Sequence, residues 1–214
     1  MVKVMVIKEY KKFAAIKVVP QEDWDLIWVL SGPETSITDE SSGKKERNIT
    51  RDRLLTAFVL SKRVAALRSR KKIKELTRKD IFRLAPSVYY NGTDEQNKDL
   101  DSLSHDRRWE QKYNFPAEKI KISPALGIQH TGNQFKTFPK KLVNDNRKIV
   151  LVTSLYHLPR VKRYFGSRYN TSQISIENVV LVPAEPRCLP VNLDSREARK
   201  MQMYEKRGIL PKGK

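Results

Sequence analysis

The chain predicts an α/β fold, a mostly parallel sheet with helices on both faces, and three observations carry that expectation. Short apolar runs rich in β-branched residues, such as Ile149 to Val152 and Val179 to Val182, alternate with longer stretches of helical character. These runs are continuously apolar rather than alternating, as strands covered on both faces are. Polar and ionisable residues gather where the runs end, the edge at which open α/β sheets bind ligands.

In order along the chain, residues 2–7 and 13–19 read as a short hairpin or strand pair around Lys8, Tyr10, Lys11 and Lys12. Asp25 to Leu30 is a covered strand ending in Ser31-Gly32-Pro33, and the polar stretch from Glu34 to Asn48 is a surface loop. Thr50 is placed to N-cap a helix from Arg51 to about Ser69, with Leu54, Ala57, Phe58, Ser61, Ala65 and Leu67 near one side. Lys71 to Leu84 continues in helical style, with Thr77 and Asp80 offering a restart before Pro86 stops it. Ser87 to Gly92 is a strand closing on a turn, with Asn91-Gly92 expected to supply positive φ. Residues 94–114 are charged and helical, and Phe115 to Ser123 turns into another strand. Lys136 to Asp145 is expected as a helix before strand 149–153, and a helix around Arg160–Phe165 leads to strand Val179–Pro183. The expected organisation is one domain over 1–194 and a basic tail, 195–214, that either docks as a terminal helix or stays loose.

Composition narrows the functional classes. A formal charge of +19 across 214 residues suggests an anionic partner: nucleic acid, an acidic membrane surface or a phosphorylated substrate. The single cysteine, Cys188, excludes an intrachain disulfide and a cysteine-rich metal site. Three scattered histidines without ligand spacing give no metal signal. No apolar run approaches the roughly 20 residues of a membrane helix, and lysines interrupt the N-terminal apolar stretch, so the expectation is a soluble, cytoplasmic protein. Arg70-Lys71-Lys72 and Lys140-Lys141 suit contact with a phosphate backbone by charge, yet neither is interleaved with aromatics and no nucleic-acid-binding signature is present.

Four polar elements lie at candidate strand ends: Ser31-Gly32, Asn91-Gly92-Thr93, His130-Thr131-Gly132-Asn133, and Thr153-Ser154 with His157 and Arg160. One such element is usually only a turn, but the fold brings all four to one crevice. An imidazole titrating near 6.5 suits His157 as proton donor, proton acceptor or anion contact, against a structural role as a cap or bridge. Arg160 follows by one helical turn, so the two side chains share a side, and its fork fits a carboxylate or phosphate. Ser154 lacks the Gly-x-Ser-x-Gly setting of a nucleophile, and its hydroxyl is expected to cap the next helix or meet a ligand oxygen. His105, among charges, is expected to be solvated.

The run Val150-Leu-Val-Thr-Ser-Leu-Tyr-His-Leu-Pro-Arg160 resembles the YdcF/SanA-like family, whose strand leads into a Thr-Ser, a His and an Arg. Arg53-Leu54-x-x-Ala57 resembles that family's first-helix pattern, Asn91-Gly92 stands in place of its Ser-Gly-Gly turn, and Ile120 to Ser123 stands where a strand precedes Asn-Thr-x-Glu-Asn. The resemblance spans about 26–186 and implies a Rossmann-like three-layer fold with a pocket at the strand ends. It further implies a ligand such as S-adenosylmethionine or another nucleotide-like or phosphorylated molecule, with Arg53 projecting into the crevice. Two departures stand out. His130-Thr131-Gly132-Asn133-Gln134 replaces the family motif, putting Asn133 where the acid belongs, and Glu95 and Asp101 both remain candidates for a second acid. Three functional readings follow: a small-molecule-binding protein, with or without catalysis through His157; a basic nucleic-acid-associated protein; and a degenerate interaction module.

Overall fold

The computed structural model describes residues 19–32, 49–106, 108–143, 148–184 and 193–210. The expected N-terminal hairpin, the loop at 34–48 and Cys188 lie outside them.

Five strands, β1 (Trp24–Leu30), β2 (Ser87–Asn91), β3 (Ile120–Ile122), β4 (Lys148–Ser154) and β5 (Val179–Ala184), form one sheet in the order β3-β2-β1-β4-β5, and every pairing is parallel. The chain builds outward from β1 to β3 and then crosses to β4 on the other side of β1. The order therefore reverses between β1 and β4, which is the point where an α/β sheet opens a crevice at its carboxyl edge.

Alternation along the strands feeds two cores. Ile27, Val29, Val88, Tyr90, Val150 and Val152 face α1 (Ile49–Ser69), α2 (Arg78–Leu84), α3 (Asp94–Ser104) and α4 (Trp109–Tyr113), which add Leu54, Phe58, Ile81, Leu100 and Trp109. Leu26, Trp28, Leu30, Tyr89 and Leu151 face α5 (Thr131–Lys136), α6 (Leu158–Tyr164) and α7 (Leu193–Lys206), which add Phe135, Val161, Tyr164 and Tyr204. The result is a Rossmann-like three-layer α/β fold. Trp28 anchors the second core edge-on to Phe135, with ring centres 4.9 Å apart.

Several local expectations need correction. Helix α1 already begins at Ile49, so Thr50 is helical rather than a cap, and Leu67 is exposed while Leu54, Ala57, Phe58, Ser61 and Ala65 are buried. The restart at Thr77 is present: its hydroxyl accepts from the Asp80 amide while the Asp80 carboxylate accepts from the Thr77 amide. The helix expected over Lys136–Asp145 is instead α5 at Thr131–Lys136 followed by a 3-10 turn at Lys140–Leu142. Pro139, which has no amide proton to donate, separates them.

Gly92 does not take positive φ, and neither does Asn91. The glycine is needed for space, since a Cβ there would lie 2.7 Å from Cε1 of the buried Tyr90 ring. The C-terminal segment docks: α7 buries Tyr204, and Leu210 behind it joins the second core. No helix among the described residues is long and apolar enough to cross a membrane.

Candidate functional site

The crevice at the strand order's reversal is held from below by Arg53. This α1 side chain is 1% exposed. Its Nε donates to Ser154 Oγ at the end of β4 (3.0 Å), and its Nη1 donates to the Leu30 carbonyl at the end of β1 (2.8 Å). One guanidinium thus ties the ends of these two neighbouring strands. Ser154 is fixed by that bond and makes no cap to the following turn, so the capping role expected as one alternative for its hydroxyl is absent. Burial, the chief cause, lowers the pKa of Arg53, with Arg160 adding to the effect and Tyr156 opposing it.

Amide side chains tie the remaining strand ends. Gln134 Nε2 donates to Ser31 Oγ (2.8 Å) and to the Asn91 carbonyl, while Asn91 Nδ2 donates to the Gln134 carbonyl (2.8 Å). Gln96 Nε2 donates to the Gly32 carbonyl (2.8 Å), and Gln96 closes a capping box with Thr93 at the start of α3. The Gly92 amide donates to Asn97 Oδ1 (2.9 Å), and Asn97 Nδ2 donates to the Ser123 carbonyl. The ends of β1, β2 and β3 are therefore one hydrogen-bonded frame.

His157 is buried between two hydroxyls, with Nδ1 2.8 Å from Thr153 Oγ1 and Nε2 3.0 Å from Thr131 Oγ1. Either neutral tautomer satisfies both contacts, one nitrogen donating and the other accepting. Burial, then Arg160, Arg53 and Lys200, hold its pKa well below 6.5. Geometry and field thus favour an uncharged imidazole that joins β4 to α5, and the expectation that His157 is the titrating group of the crevice gives way to that. It makes no side-chain cap to α6 either.

Above this frame lies a cavity of about 350 Å³. Of the residues singled out from sequence, Ser31, Gly32, Arg53, Thr93, His130, Thr131, His157 and Arg160 line it. Asn91, Gly92, Thr153 and Ser154 stand behind the wall in the frame just described. Asn133 is half-buried, with Oδ1 accepting from the Gln129 amide, and lies off the lining. Glu95 is exposed and off it too, and Asp101 borders a different hollow beside His105, so neither candidate acid reaches the cavity. His105 is exposed, as expected. His130 caps α5 by accepting from the Asn133 amide on Nδ1, and burial followed by Arg160 and Lys200 lowers its pKa. A cationic His130 is disfavoured on both counts.

The cavity's carboxylate comes from α7. Glu197, 5% exposed, pairs through Oε1 with Arg160 Nε at 2.6 Å. Lys200 and Tyr204, one and two turns on, line the same cavity, and Arg160 and Lys200 both sit against the Tyr204 ring, at 5.4 and 5.9 Å from its centre. Burial lowers the Lys200 pKa, Arg160 adds to that, and Glu197 opposes it. The spacing 197, 200, 204 marked a shared helix face, but no sequence signal said that this face docks. Gln96 was readable as the fourth residue of a Thr-x-x-Gln capping box, and Gln134 as the last residue of the altered motif.

Fold and site together define a Rossmann-like α/β protein with a polar cavity at its topological switch point, net cationic among the described residues. Comparison of the chain with protein-family models, curated proteins and solved structures finds no match.

Proposed function

We propose that the chain is a YdcF/SanA-like small-molecule-binding protein whose switch-point cavity takes an anionic ligand, phosphorylated or nucleotide-like. One observation carries the reading: among the described residues Arg53, Arg160 and Lys200 line the cavity against a single carboxylate, Glu197. Both lining histidines are held toward their neutral forms, so the cavity's formal charge is positive without them. A phosphate group offsets that charge and offers acceptors to a guanidinium and an ammonium.

S-Adenosylmethionine, which the family resemblance also suggests, fits this field less well. It brings a sulfonium and an ammonium against one carboxylate. The binding reading also stands without proton transfer by His157, whose two nitrogens are already engaged.

The test is thermal unfolding with inorganic phosphate, adenosine 5′-phosphate and S-adenosylmethionine. A native-state ligand at a hundred times its Kd stabilises by about 2.7 kcal/mol. The phosphorylated compounds should raise Tm and Lys200→Ala should remove that rise. No shift with any phosphorylated compound at millimolar concentration defeats the reading.

The charge of +19 favours a second reading, association with nucleic acid through the basic surface. Filter binding across a salt series separates the two, because backbone binding falls steeply with salt.

A further inference from the structure

Arg160 and Glu197 are each 5% exposed, and together they leave hydrogen-bonding capacity unused. Their ion pair engages Nε of the guanidinium and Oε1 of the carboxylate. Among the described residues Arg160's polar partner is Glu197 alone, and Glu197's is Arg160 alone. Nε and Oε1, though in contact, make no aligned hydrogen bond, and the two terminal nitrogens of Arg160 and Glu197 Oε2 have no hydrogen-bond partner among the described residues. Lys200, on the next turn of α7, has the Tyr204 ring against its ammonium and no hydrogen bond or ion pair among the described residues. Arg160 and Glu197 are buried and Lys200 is half-buried, and the three line one cavity, where a ligand can supply the partners the protein does not.

A bare anion would complete only half of this set. It would accept from the Arg160 terminal nitrogens and Lys200, and it would be repelled by Glu197. The complement of the whole set is a molecule with an anion for the two cations and, a few ångströms away, a donor for Oε2. An ammonium is a poor donor here, because Arg53, Arg160 and Lys200 repel it. A hydroxyl carries no such penalty, and a carboxylate readily accepts from one.

Resting on the anion-binding reading above, we infer that the cavity selects a hydroxylated phosphomonoester, of the sugar phosphate or nucleoside phosphate class, with Glu197 accepting from a ligand hydroxyl. Glu197 then acts as a specificity-determining residue, and the C-terminal helix supplies the recognition that Asn133 cannot.

The experiment is isothermal titration of the full chain with four probes: inorganic phosphate, n-propyl phosphate, glycerol 3-phosphate and O-phosphoethanolamine. Glycerol 3-phosphate should bind about tenfold more tightly than n-propyl phosphate, the scale of one charge-assisted hydrogen bond. In Glu197→Gln, whose amide is a weaker acceptor, the preference should fall to about threefold or less. Equal affinity of the wild type for glycerol and n-propyl phosphates overturns the inference and leaves anion binding standing. So does a preference that Glu197→Gln leaves unchanged. Tighter binding of O-phosphoethanolamine than of glycerol 3-phosphate overturns the hydroxyl assignment. Failure of all four probes to bind overturns the anion reading itself, and this inference with it. The wild-type comparison needs no variant, so a Glu197→Gln protein that fails to fold does not shield the proposal.

Discussion

Arg53 and Ser154 are 101 residues apart in sequence and 3.0 Å apart in space, joined by a buried hydrogen bond across the point where the strand order reverses. The same guanidinium reaches the Leu30 carbonyl, so one side chain of α1 holds β1 and β4 at the edge where the sheet opens. A lysine keeps the charge but has a single nitrogen, which cannot reproduce the planar two-point contact. Arg53→Lys should therefore lower unfolding free energy by about 2 kcal/mol, the scale of one lost hydrogen bond from a charged donor. Urea denaturation measures it, and an unchanged midpoint would show that the bond between β1 and β4 does not depend on Arg53.

Gly92→Ala tests a different feature of the same edge. The backbone there accepts an L-residue without φ strain, so any cost comes from the methyl group meeting Tyr90. Tyr90 is wholly buried in a packed core and has little room to retreat. A loss of about 1–3 kcal/mol is expected, the usual range for overpacking. Tyr90→Val should relieve the clash, so the double variant should be more stable than the sum of the single effects implies.

Much of this edge was legible in the sequence for a simple reason: its residues sit within a few positions of strand ends. Thr153 to Arg160 follows the four-residue apolar run Ile149–Val152 of β4, so the topology alone carries His157 and Arg160 to the crevice. Arg53 was marked by resemblance, but its role beneath the cavity depends on which strands flank β1, a tertiary fact. Asn91-Gly92 was misjudged because a turn signal and a close-packing requirement leave the same glycine in the sequence. The helix expected at Lys136 was displaced because the segment starts earlier, where His130 caps it, and Pro139 ends its regular pattern. Glu197 was invisible. It lies in a basic tail for which docking as a helix and staying loose were both open, and its meaning comes from docking against α6, which no local pattern encodes.

Stability should depend on pH through the histidines. In the unfolded chain His157 takes its proton near 6.5, whereas in the folded protein its pKa lies well below that value. On acidification the unfolded state binds the proton first, so stability is full above neutral pH and falls as pH drops below about 6.5. His130 is shifted in the same direction and adds to the slope. The contribution of one such proton reaches at most about 1.4 kcal/mol per pH unit. Urea denaturation at pH 8, 7, 6 and 5 should show a decline across the last two steps, shallower in His157→Gln. A flat profile from pH 7 to 5 would mean that His157 takes up its proton in the fold as readily as outside it.

The pair Arg160–Glu197 joins α6 to α7 with both side chains almost fully buried, and this decides how each variant should behave. Removing one member strands a charge of the other in a poorly solvated site, and such losses run to about 3–5 kcal/mol. Removing both leaves no stranded charge and only a packing change. Arg160→Met and Glu197→Leu should each be strongly destabilising, while the double variant should be more stable than either. The coupling in a double-mutant cycle should exceed the few tenths of a kcal/mol expected of independent sites. Arg163 and Glu205, one turn on along α6 and two turns on along α7, supply the contrast. That pair is also 2.6 Å apart, but its side chains are 17% and 30% exposed, and partial hydration should shrink its coupling toward the surface range of about 0–1 kcal/mol. If the two cycles give equal coupling, burial is not what makes Arg160 and Glu197 interdependent. If the double variant is no better than the singles, α7 is held by apolar packing, through its Tyr204 and the Leu210 that follows it, rather than by charge.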